Sequence, residues 1–433
     1  MFKLLCPIAG GRSSVQLNPD QQRNALQNEN GSARHPVLRM LRASLPVPLA
    51  RTVGFNVSKD EVMRAAIDGQ VNELNRLVAL GTNINRANGV GRTAIMEAAS
   101  HGHLDVINRL VELGSSIDQQ DGMGLTALIL AANRGYEDVV NRLVELGADI
   151  DRQHTFGQTA LMWAALSGQL GSVTLLAELG ANVDHVDNDG ETALMRAALG
   201  GPLETVNRLI ELGAEIDRVD GRGHTALSRV VWDVGFSTRR RLAERATIGG
   251  HLTYWHFNDR YDRTMAETAR RVNAVERLAQ FGATVDHAPY DGITPLMESA
   301  ACGRLDLVNI LIEHGADVEH VDTAGNTALI EAAKHGHLNV VDRLVECGAN
   351  LNHANNDGNT ALMEVARRGY HPFFNLWSHE LYTVVNRLIE FGANVHHVNK
   401  DGDTALTLAA NDRNLNVTYA LLQADPTANG AIH

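Results

Sequence analysis

A block of about 33 residues recurs along most of this 433-residue chain, and its period limits the possible folds more than any other feature. Each copy carries the pattern G-x-T-A-L-x-x-A-A-x-x-G, followed by V-x-x-L-x-x-x-G-A. Nine threonines mark the copies: Thr93, Thr126, Thr159, Thr192, Thr225, Thr294, Thr327, Thr360 and Thr404. Because a period of this length is typical of stacked repeats, the sequence predicts one elongated solenoid instead of several globular domains.

Residues 122–154 show how one repeat is expected to fold. Gly124 provides the positive φ that a tight turn needs, and Thr126 stands where a helix N-cap is expected. Apolar residues then recur three and four positions apart in two stretches, which end at Gly135 and Gly147. The pattern predicts a turn, a helix, a second turn and a second helix. Since neither helix can bury its apolar face alone, each repeat must pack against its neighbours.

This pattern resembles the ankyrin repeat, and the nine copies agree in register. The resemblance implies an all-α repeat solenoid of nine or ten stacked repeats, each a β-turn plus an antiparallel helix pair. It also implies a protein that recognises other proteins and does not catalyse a reaction. The family's T-P-L-H core is altered here, because only Thr294-Pro295-Leu296 keeps the proline. Apolar residues replace the histidine and predict an apolar seam between repeats: Met96, Ile129, Met162, Met195 and Ile330.

The repeat also divides the chain into regions. Residues 1–57 form a basic leader, with seven Lys or Arg against Asp20 and Glu29, and are interpreted either as a flexible, disordered tail or as a targeting segment. Residues 58–88 hold the helical part of a repeat without its T-A-L turn, which is typical of an N-terminal capping repeat. The array itself covers 89–433. Its last part, 400–433, is rich in Asn and Asp, as the polar outer face of a C-terminal capping repeat requires.

Two insertions interrupt the period, at about 236–271 and 373–383. The steps from Thr225 to Thr294 and from Thr360 to Thr404 are 69 and 44 residues long, and both excesses fall at the turn between the first and second helix. More than half of the aromatic residues of the chain lie in these insertions or within four residues before them: Trp232, Phe236, Tyr254, Trp255, Phe257, Tyr261, Tyr370, Phe373, Phe374, Trp377 and Tyr382. Aromatic side chains are enriched at binding hot spots. We therefore expect the insertions either to pack onto the array or to contact a partner. Six residues are candidate contacts: Tyr254, Trp255, Phe257, Phe373, Phe374 and Trp377.

In the ankyrin arrangement, the turn tips and the first-helix surface line a concave groove. Six such positions in repeats one to three are apolar where polar residues are usual: Val90, Met123, Leu125, Phe156, Trp163 and Leu166. A run of this kind predicts an exposed apolar patch, which usually marks an interaction site. The positions equivalent to Trp163 become Arg196 and Arg229, and then Glu298, Glu331 and Glu364. The groove is thus expected to change from apolar to basic to acidic, with Arg196 among the contacts.

A second column of polar residues follows the second helices. Its members are Arg86, Gln119, Arg152, His185, Arg218, His287, His320, His353 and His397. Neighbouring members are expected about 10 Å apart, one helix diameter, which is too far to share a metal ion. The column is interpreted either as polar turn surface or as a pH-dependent contact with an acidic partner.

Composition narrows the function classes. A net charge of −13 disfavours a general nucleic-acid binder, since phosphate binding needs a basic surface. The three cysteines, Cys6, Cys302 and Cys347, lack metal-ligand spacing and favour a reducing compartment. No apolar stretch approaches the roughly 18 residues of a membrane span. Catalytic motifs such as H-E-x-x-H, G-x-S-x-G or a P-loop do not occur, so neither an enzyme nor a cofactor is expected.

The sequence therefore predicts a cytoplasmic, monomeric, non-catalytic scaffold that binds a protein partner with a basic or mixed apolar and basic surface. Two alternatives share this fold. One is a bacterial effector secreted into a host cell, and the other is a tether or inhibitor that acts through the insertions, with the array as a spacer. An organelle address in the leader is an alternative to the cytoplasm.

Overall fold

The computed structural model describes residues 59–247, 254–367, 378–412 and 414–424. Side chains are described from residue 61 to 238, from 266 to 367, and from 381 onward within these ranges. The predicted leader, 1–57, lies outside the described residues, as do three of the candidate contacts: Phe373, Phe374 and Trp377. Of three further candidates only the backbone is described: Tyr254, Trp255 and Phe257.

The described residues form twenty α-helices, which come in pairs, one pair to each repeat. The first helices of the pairs are α1 (Lys59–Ile67), α3 (Ala94–Ser100), α5 (Ala127–Arg134), α7 (Ala160–Leu166), α9 (Ala193–Gly200), α11 (Ala226–Thr247), α13 (Pro295–Ala301), α15 (Ala328–Lys334), α17 (Ala361–Ala366) and α19 (Ala405–Asn411). The second helices are α2 (Val71–Ala79), α4 (Leu104–Glu112), α6 (Glu137–Glu145), α8 (Leu170–Glu178), α10 (Leu203–Glu211), α12 (Tyr254–Gln280), α14 (Leu305–Glu313), α16 (Leu338–Glu346), α18 (Ser378–Glu390) and α20 (Leu415–Ala424).

All ten helix pairs share one continuous apolar core. Each first helix packs against its own second helix and against the first helix of the next repeat. Small side chains such as the fully buried Ala131 and Ala132 allow this close approach. The seam residues are buried too: Met96, Ile129, Met162, Met195 and Ile330. The prediction of a stacked helix-pair solenoid, all-α within the described ranges, is confirmed.

The turn before each first helix follows the local signals of the sequence. At the start of α5, Thr126 Oγ1 accepts a hydrogen bond from the Ile129 N–H at 3.2 Å, and Gly124 has a φ of +80°. We call each such turn a finger. Successive fingers are joined through their backbones, for example by a 2.9 Å bond from the Gly122 N–H to the Val90 carbonyl. The fingers therefore form a row along one side of the array.

Both insertions lengthen regular helices. In repeat five, α11 has 22 residues and α12 has 27, against 7 and 9 in α13 and α14. The sequence predicts helical character from about Arg263, but α12 already begins at Tyr254, so part of the insertion extends the second helix. The two helices pack against each other, and an ion pair of 3.0 Å joins Asp233 on α11 to Arg271 on α12. In repeat eight, α18 reaches 13 residues in the same way.

Candidate functional site

The finger tips are shaped by a short polar side chain that accepts hydrogen bonds from backbone N–H groups of its own turn. In repeat two, Asp121 Oδ1 accepts hydrogen bonds from the N–H groups of Met123 and Leu125, at 2.9 and 3.0 Å. Asn88 makes the equivalent pair of bonds in repeat one, to Val90 and Arg92. Short polar side chains favour such turns because they can bond their own backbone two residues on. The residue two positions after this polar side chain, such as Met123, then projects from the tip.

Three consecutive tips carry large apolar residues, which we call the apolar stripe. Its members are Val90, Met123 and Phe156, whose exposed fractions are 64%, 55% and 61%. Backbone hydrogen bonds join these fingers to one another. At the remaining fingers the tip residue is charged or small: Asp189, Arg222, Asp291, Ala324, Asp357 and Asp401. At this one turn position of the described fingers, large apolar residues thus occur in repeats one to three, and contiguous exposure of this kind is typical of an interaction site.

An aromatic cluster supports Phe156 from below. The His154 ring lies 5.4 Å from Phe156 and 5.7 Å from Trp163, both edge-on. His154 is buried and its Nδ1 accepts the Gln158 N–H at 3.1 Å; burial lowers its pKa, so the ring is neutral near pH 7. Trp163 is half-buried, and its buried indole N–H has no hydrogen-bond partner among the described residues. The cluster thus contacts the Phe156 side chain through the His154 ring.

Two of the predicted patch residues do not belong to the exposed surface. Leu125 is only 6% exposed, and its carbonyl accepts the Asp121 N–H at 3.0 Å. The expectation that it lies on the surface was wrong, because this residue closes the turn and its side chain joins the core. Leu166, at the end of α7, is half-buried. Of the six apolar positions, three are exposed tips and one, Trp163, lies half-buried beneath them.

Arg196 was expected to give the groove a basic section, but its charge is compensated. Its guanidinium pairs with Asp187 and, at 2.8 Å, with Glu191. Arg229 lies 3.3 Å from Glu191 and 3.9 Å from Asp220. Burial alone would raise the pKa of Asp187, but hydrogen bonds from Arg196 and neighbouring groups outweigh this effect, and the pKa is lowered. These residues form one buried ionic cluster, the arginine network: Gln158, Asp187, Glu191, Arg196, Asp220 and Arg229.

The expected acidic section is largely buried as well. Glu298 and Glu364 are 5% and 3% exposed. Glu364 accepts hydrogen bonds from the amides of Asn355 and Asn359, at 3.1 and 3.0 Å. Neighbouring amides continue this chain from repeat to repeat, and we call it the asparagine ladder: Asn326, Asn355, Asn359, Glu364 and Asn399. The column that was predicted to line the groove therefore contributes little exposed charge, because most of its charged side chains are compensated in the interior.

Comparison with known proteins agrees with this architecture. A model of ankyrin repeats in three copies matches residues 62–154, 146–220 and 316–376, and a single ankyrin repeat matches 291–323. The chain belongs to the ankyrin-repeat family. No curated protein matches the sequence. The matches leave out residues 221–290, where this ankyrin array carries its longer insertion.

The predicted histidine column ties the end of a repeat back to the finger of that repeat. The Nε2 atoms of His185, His287, His320, His353 and His397 each donate to the carbonyl of the turn glycine in the same repeat, at 2.8 to 3.3 Å. A carbonyl can only accept, so Nε2 carries the proton in each case. These contacts favour the interpretation as structural turn surface. Among the described residues, no group of three or more His, Cys, Asp or Glu side chains is placed to hold a metal ion.

A second ladder on the second helices was not predicted. Arg109 Nε donates to Asn75 Oδ1 of the preceding repeat at 2.6 Å, and Arg142 bonds Asn108 in the same way. Arg343 and Arg387 repeat the pattern with Asn309 and Asp342. The sequence signal that could have predicted this ladder is the N-R-L triplet, which recurs in register with the 33-residue period. These side-chain hydrogen bonds join second helices of successive ankyrin repeats. Of the described helices, none is long and apolar enough to cross a bilayer.

Proposed function

We propose that this ankyrin array is a non-catalytic scaffold that binds a segment of a partner protein across the finger tips of repeats one to three. The observation that carries the proposal is the exposed stripe of Val90, Met123 and Phe156 on three adjacent, backbone-linked fingers. Ankyrin repeats are generally protein-protein interaction modules, and a prebuilt surface binds with few ordering costs.

The arrangement also indicates the chemistry of the partner. Adjacent tips belong to adjacent repeats, about one helix diameter or ~10 Å apart, so three apolar side chains of an extended partner segment would meet one finger each. Phe156 is the expected anchor, since aromatic residues that are held in place dominate binding energies. Asp189, at the next tip, favours a basic residue at that end of the segment.

The insertions are the second candidate contact. Phe236 on α11 is 57% exposed and belongs to the same insertion as Tyr254, Trp255 and Phe257. In the alternative function the array is a spacer, and these residues together with Phe373, Phe374 and Trp377 bind the partner. A cytoplasmic monomer is the simplest setting for either function, and a secreted effector is the alternative setting.

The test uses proximity labelling in cells of origin to obtain a partner, followed by binding measurements with purified chains. A variant with Met123→Ala and Phe156→Ala is expected to bind that partner at least tenfold more weakly, because two central apolar contacts are removed. Val321→Ala with Val398→Ala is the matched control, since these valines are 41% and 53% exposed on later fingers. The control is expected to bind like the unaltered chain.

Deletion of residues 236–271 and 373–383 separates the two functions. Each deletion restores the 33-residue step, so the array can continue in register. Binding that survives both deletions and is lost in the stripe variant supports the finger tips. Binding that is lost on either deletion, while the stripe variant still binds, would assign the contact to the insertions instead.

A further inference from the structure

The first finger of the array differs from the later ones in its backbone contacts. In most later fingers, the residue after the turn-forming polar side chain donates its N–H to the tip carbonyl of the preceding finger. Gly122 does so to Val90 at 2.9 Å, and Asn356 does so to Ala324 at 2.9 Å. Gly89 takes this position in the first finger, where the preceding repeat is the cap without a T-A-L turn. Among the described residues, the Gly89 N–H has no hydrogen-bond partner.

The residue before Gly89 is an asparagine, and this pair has a chemistry of its own. The main-chain nitrogen that follows an asparagine can attack the side-chain amide of the same residue, and a glycine leaves that approach open because it has no Cβ. Three fingers carry asparagine at this position: Asn88, Asn355 and Asn399. In the last two, the next residue is larger and its N–H is bonded to the preceding finger. Within the described fingers, Asn88 alone is followed by a glycine whose nitrogen is not held.

The side-chain amides of these asparagines differ in the same direction. The amide groups of Asn355 and Asn399 are buried and belong to the asparagine ladder, where each donates to a neighbouring side chain. Asn88 is exposed to solvent, and its amide nitrogen has no partner in the part of the chain that the structure describes. Loss of this nitrogen therefore breaks no hydrogen bond of the described fold, and the ammonia released can leave directly into solvent.

The carbonyl of the Asn88 amide is polarised by the turn. Its Oδ1 accepts hydrogen bonds from the N–H groups of Val90 and Arg92, both at 3.0 Å. When a nucleophile adds to Cγ, negative charge develops on this oxygen. Backbone N–H groups placed at such an oxygen stabilise that charge.

We propose that Asn88 is a site of spontaneous deamidation in the folded protein. The Gly89 nitrogen forms a bond to Asn88 Cγ, the bond from Cγ to Nδ2 breaks, and Nδ2 leaves as ammonia with the proton that Gly89 gives up. The product is a cyclic imide. Water then adds to one of the two ring carbonyls: addition at Cγ gives aspartate, and addition at the main-chain carbonyl gives isoaspartate. No atom changes its oxidation state, and water is the co-reactant.

The two products have different consequences for the finger. Aspartate keeps the turn, because Asp121 and Asp220 accept the same pair of backbone bonds in later fingers. Isoaspartate adds a carbon atom to the main chain and displaces the acceptor from the Val90 N–H. Either product adds a negative charge two residues before Val90, at one end of the apolar stripe. The conversion itself does not depend on the proposed binding function.

The experiment follows the full chain by mass spectrometry during incubation at neutral pH and physiological temperature, with circular dichroism as the check that it stays folded. Samples are digested briefly with trypsin. The tryptic peptide 87–92 contains Asn88 as its one asparagine, and the peptide 388–400 reports on Asn399. Asn88 is expected to be converted at least about tenfold faster than Asn399. Fragment ions distinguish aspartate from isoaspartate in the peptide 87–92.

Two variants link the reaction to the finger. Gly89→Ala should slow the conversion of Asn88 at least about tenfold; the finger tolerates it, since a Cβ there meets nothing within 4 Å. Asn356→Gly is the matched control, because it places a glycine after Asn355 while the main-chain N–H stays bonded to the preceding finger. Asn355 is expected to remain slow in this variant.

The Asn-Gly pairs at Asn30 and Asn429 lie outside the described residues and serve as internal standards. Their conversion should be equal in the unaltered chain and in Gly89→Ala. Three results would each overturn the proposal: conversion of Asn88 no faster than that of Asn399, an unchanged rate in Gly89→Ala, or conversion of Asn355 in Asn356→Gly as fast as that of Asn88.

Discussion

Repeats three to five and repeats seven to nine fill the same buried positions with different chemistry. The first set uses the arginine network, in which Arg196 and Arg229 compensate three carboxylates. The second set uses the asparagine ladder, in which neutral amides hydrogen-bond to one carboxylate, Glu364. Both arrangements satisfy buried polar groups, which is the condition that the repeat imposes. The repeat thus requires that the buried polar groups at these positions have hydrogen-bond or ionic partners. It does not require particular residue types to provide them.

Between the two sets, the sixth repeat provides neither an ionic partner nor an amide partner at this position. Pro289 and Ile293 carry no side-chain hydrogen-bonding groups, and the His224 Nδ1 next to them stays unpaired within the described residues. The seam between repeats five and six is thus the place where the two polar systems fail to meet.

Loss of Arg196 is expected to destabilise the fold more than any other substitution that tests this difference between the two sets. Arg196→Ala leaves Asp187 and Glu191, whose side chains are 1% and 8% exposed, without their main counter-ion. Removing one partner of a buried ion pair costs about 3 to 5 kcal/mol. The urea midpoint, measured by circular dichroism, is expected to fall accordingly. Arg218→Ala removes a partly exposed pair with Glu215 and should cost under about 1 kcal/mol; similar losses in both variants would contradict the buried network.

A second difference between the halves concerns pH. His337 stands over the turn glycine Gly303, where repeat three has Gln169 over Gly135. Burial lowers the pKa of His337 to about 4, with opposition from its bond to the Ala301 carbonyl and reinforcement from His335. The folded state resists protonation, so stability is full above pH 6.5 and decreases as the pH falls toward 4, by up to about 3 kcal/mol. His337→Gln is expected to flatten this part of the stability profile, and an unchanged slope would show that other groups cause it.

The asparagine ladder should not tolerate the carboxylate that the arginine network requires. Asn355→Asp preserves the turn, because Asp187 and Asp322 accept the same backbone bonds. It removes the amide donor to Glu364 and places a second carboxylate beside it, at an expected cost of about 2 kcal/mol at pH 7. The new carboxyl would have a raised pKa, so stability should recover as the pH falls through that pKa. Asp322→Asn is the reciprocal control, and a neutral effect of Asn355→Asp at pH 7 would refute the distinction.

The smallest expected effect on stability belongs to the apolar stripe. Phe156→Ala changes a side chain that is 61% exposed, so the urea midpoint should move by no more than the equivalent of about 0.5 kcal/mol. A larger loss would mean that the contact with His154 stabilises the finger, and that weaker binding by the stripe variant reflects the fold.

Much of the fold could be predicted from the sequence because its signals are local. The period, the threonine caps such as Thr126 and the turn glycines such as Gly124 act within one repeat. The candidate surface was predictable only in part. Val90, Met123 and Phe156 share a turn position that projects outward, but Leu125, two residues after Met123, closes the turn and is buried. A hydrophobicity pattern does not separate these two positions, since both are apolar and both belong to one finger.

By itself, the sequence determined the helix pairs, their order, the position of both insertions and the class of protein. Tertiary structure alone decided which charges face the solvent. Arg196 and Glu364 are predicted to be surface residues in a column, yet both belong to buried clusters. Each cluster is joined across repeats, by the bond from Gln158 to Asp187 and by the bond from Asn355 to Asn326. The physical reason is the distance along the chain between the groups that interact. Hydrogen-bond geometry within a turn depends on a few neighbouring residues, whereas the compensation of buried charge depends on groups that only the stacking of repeats brings together.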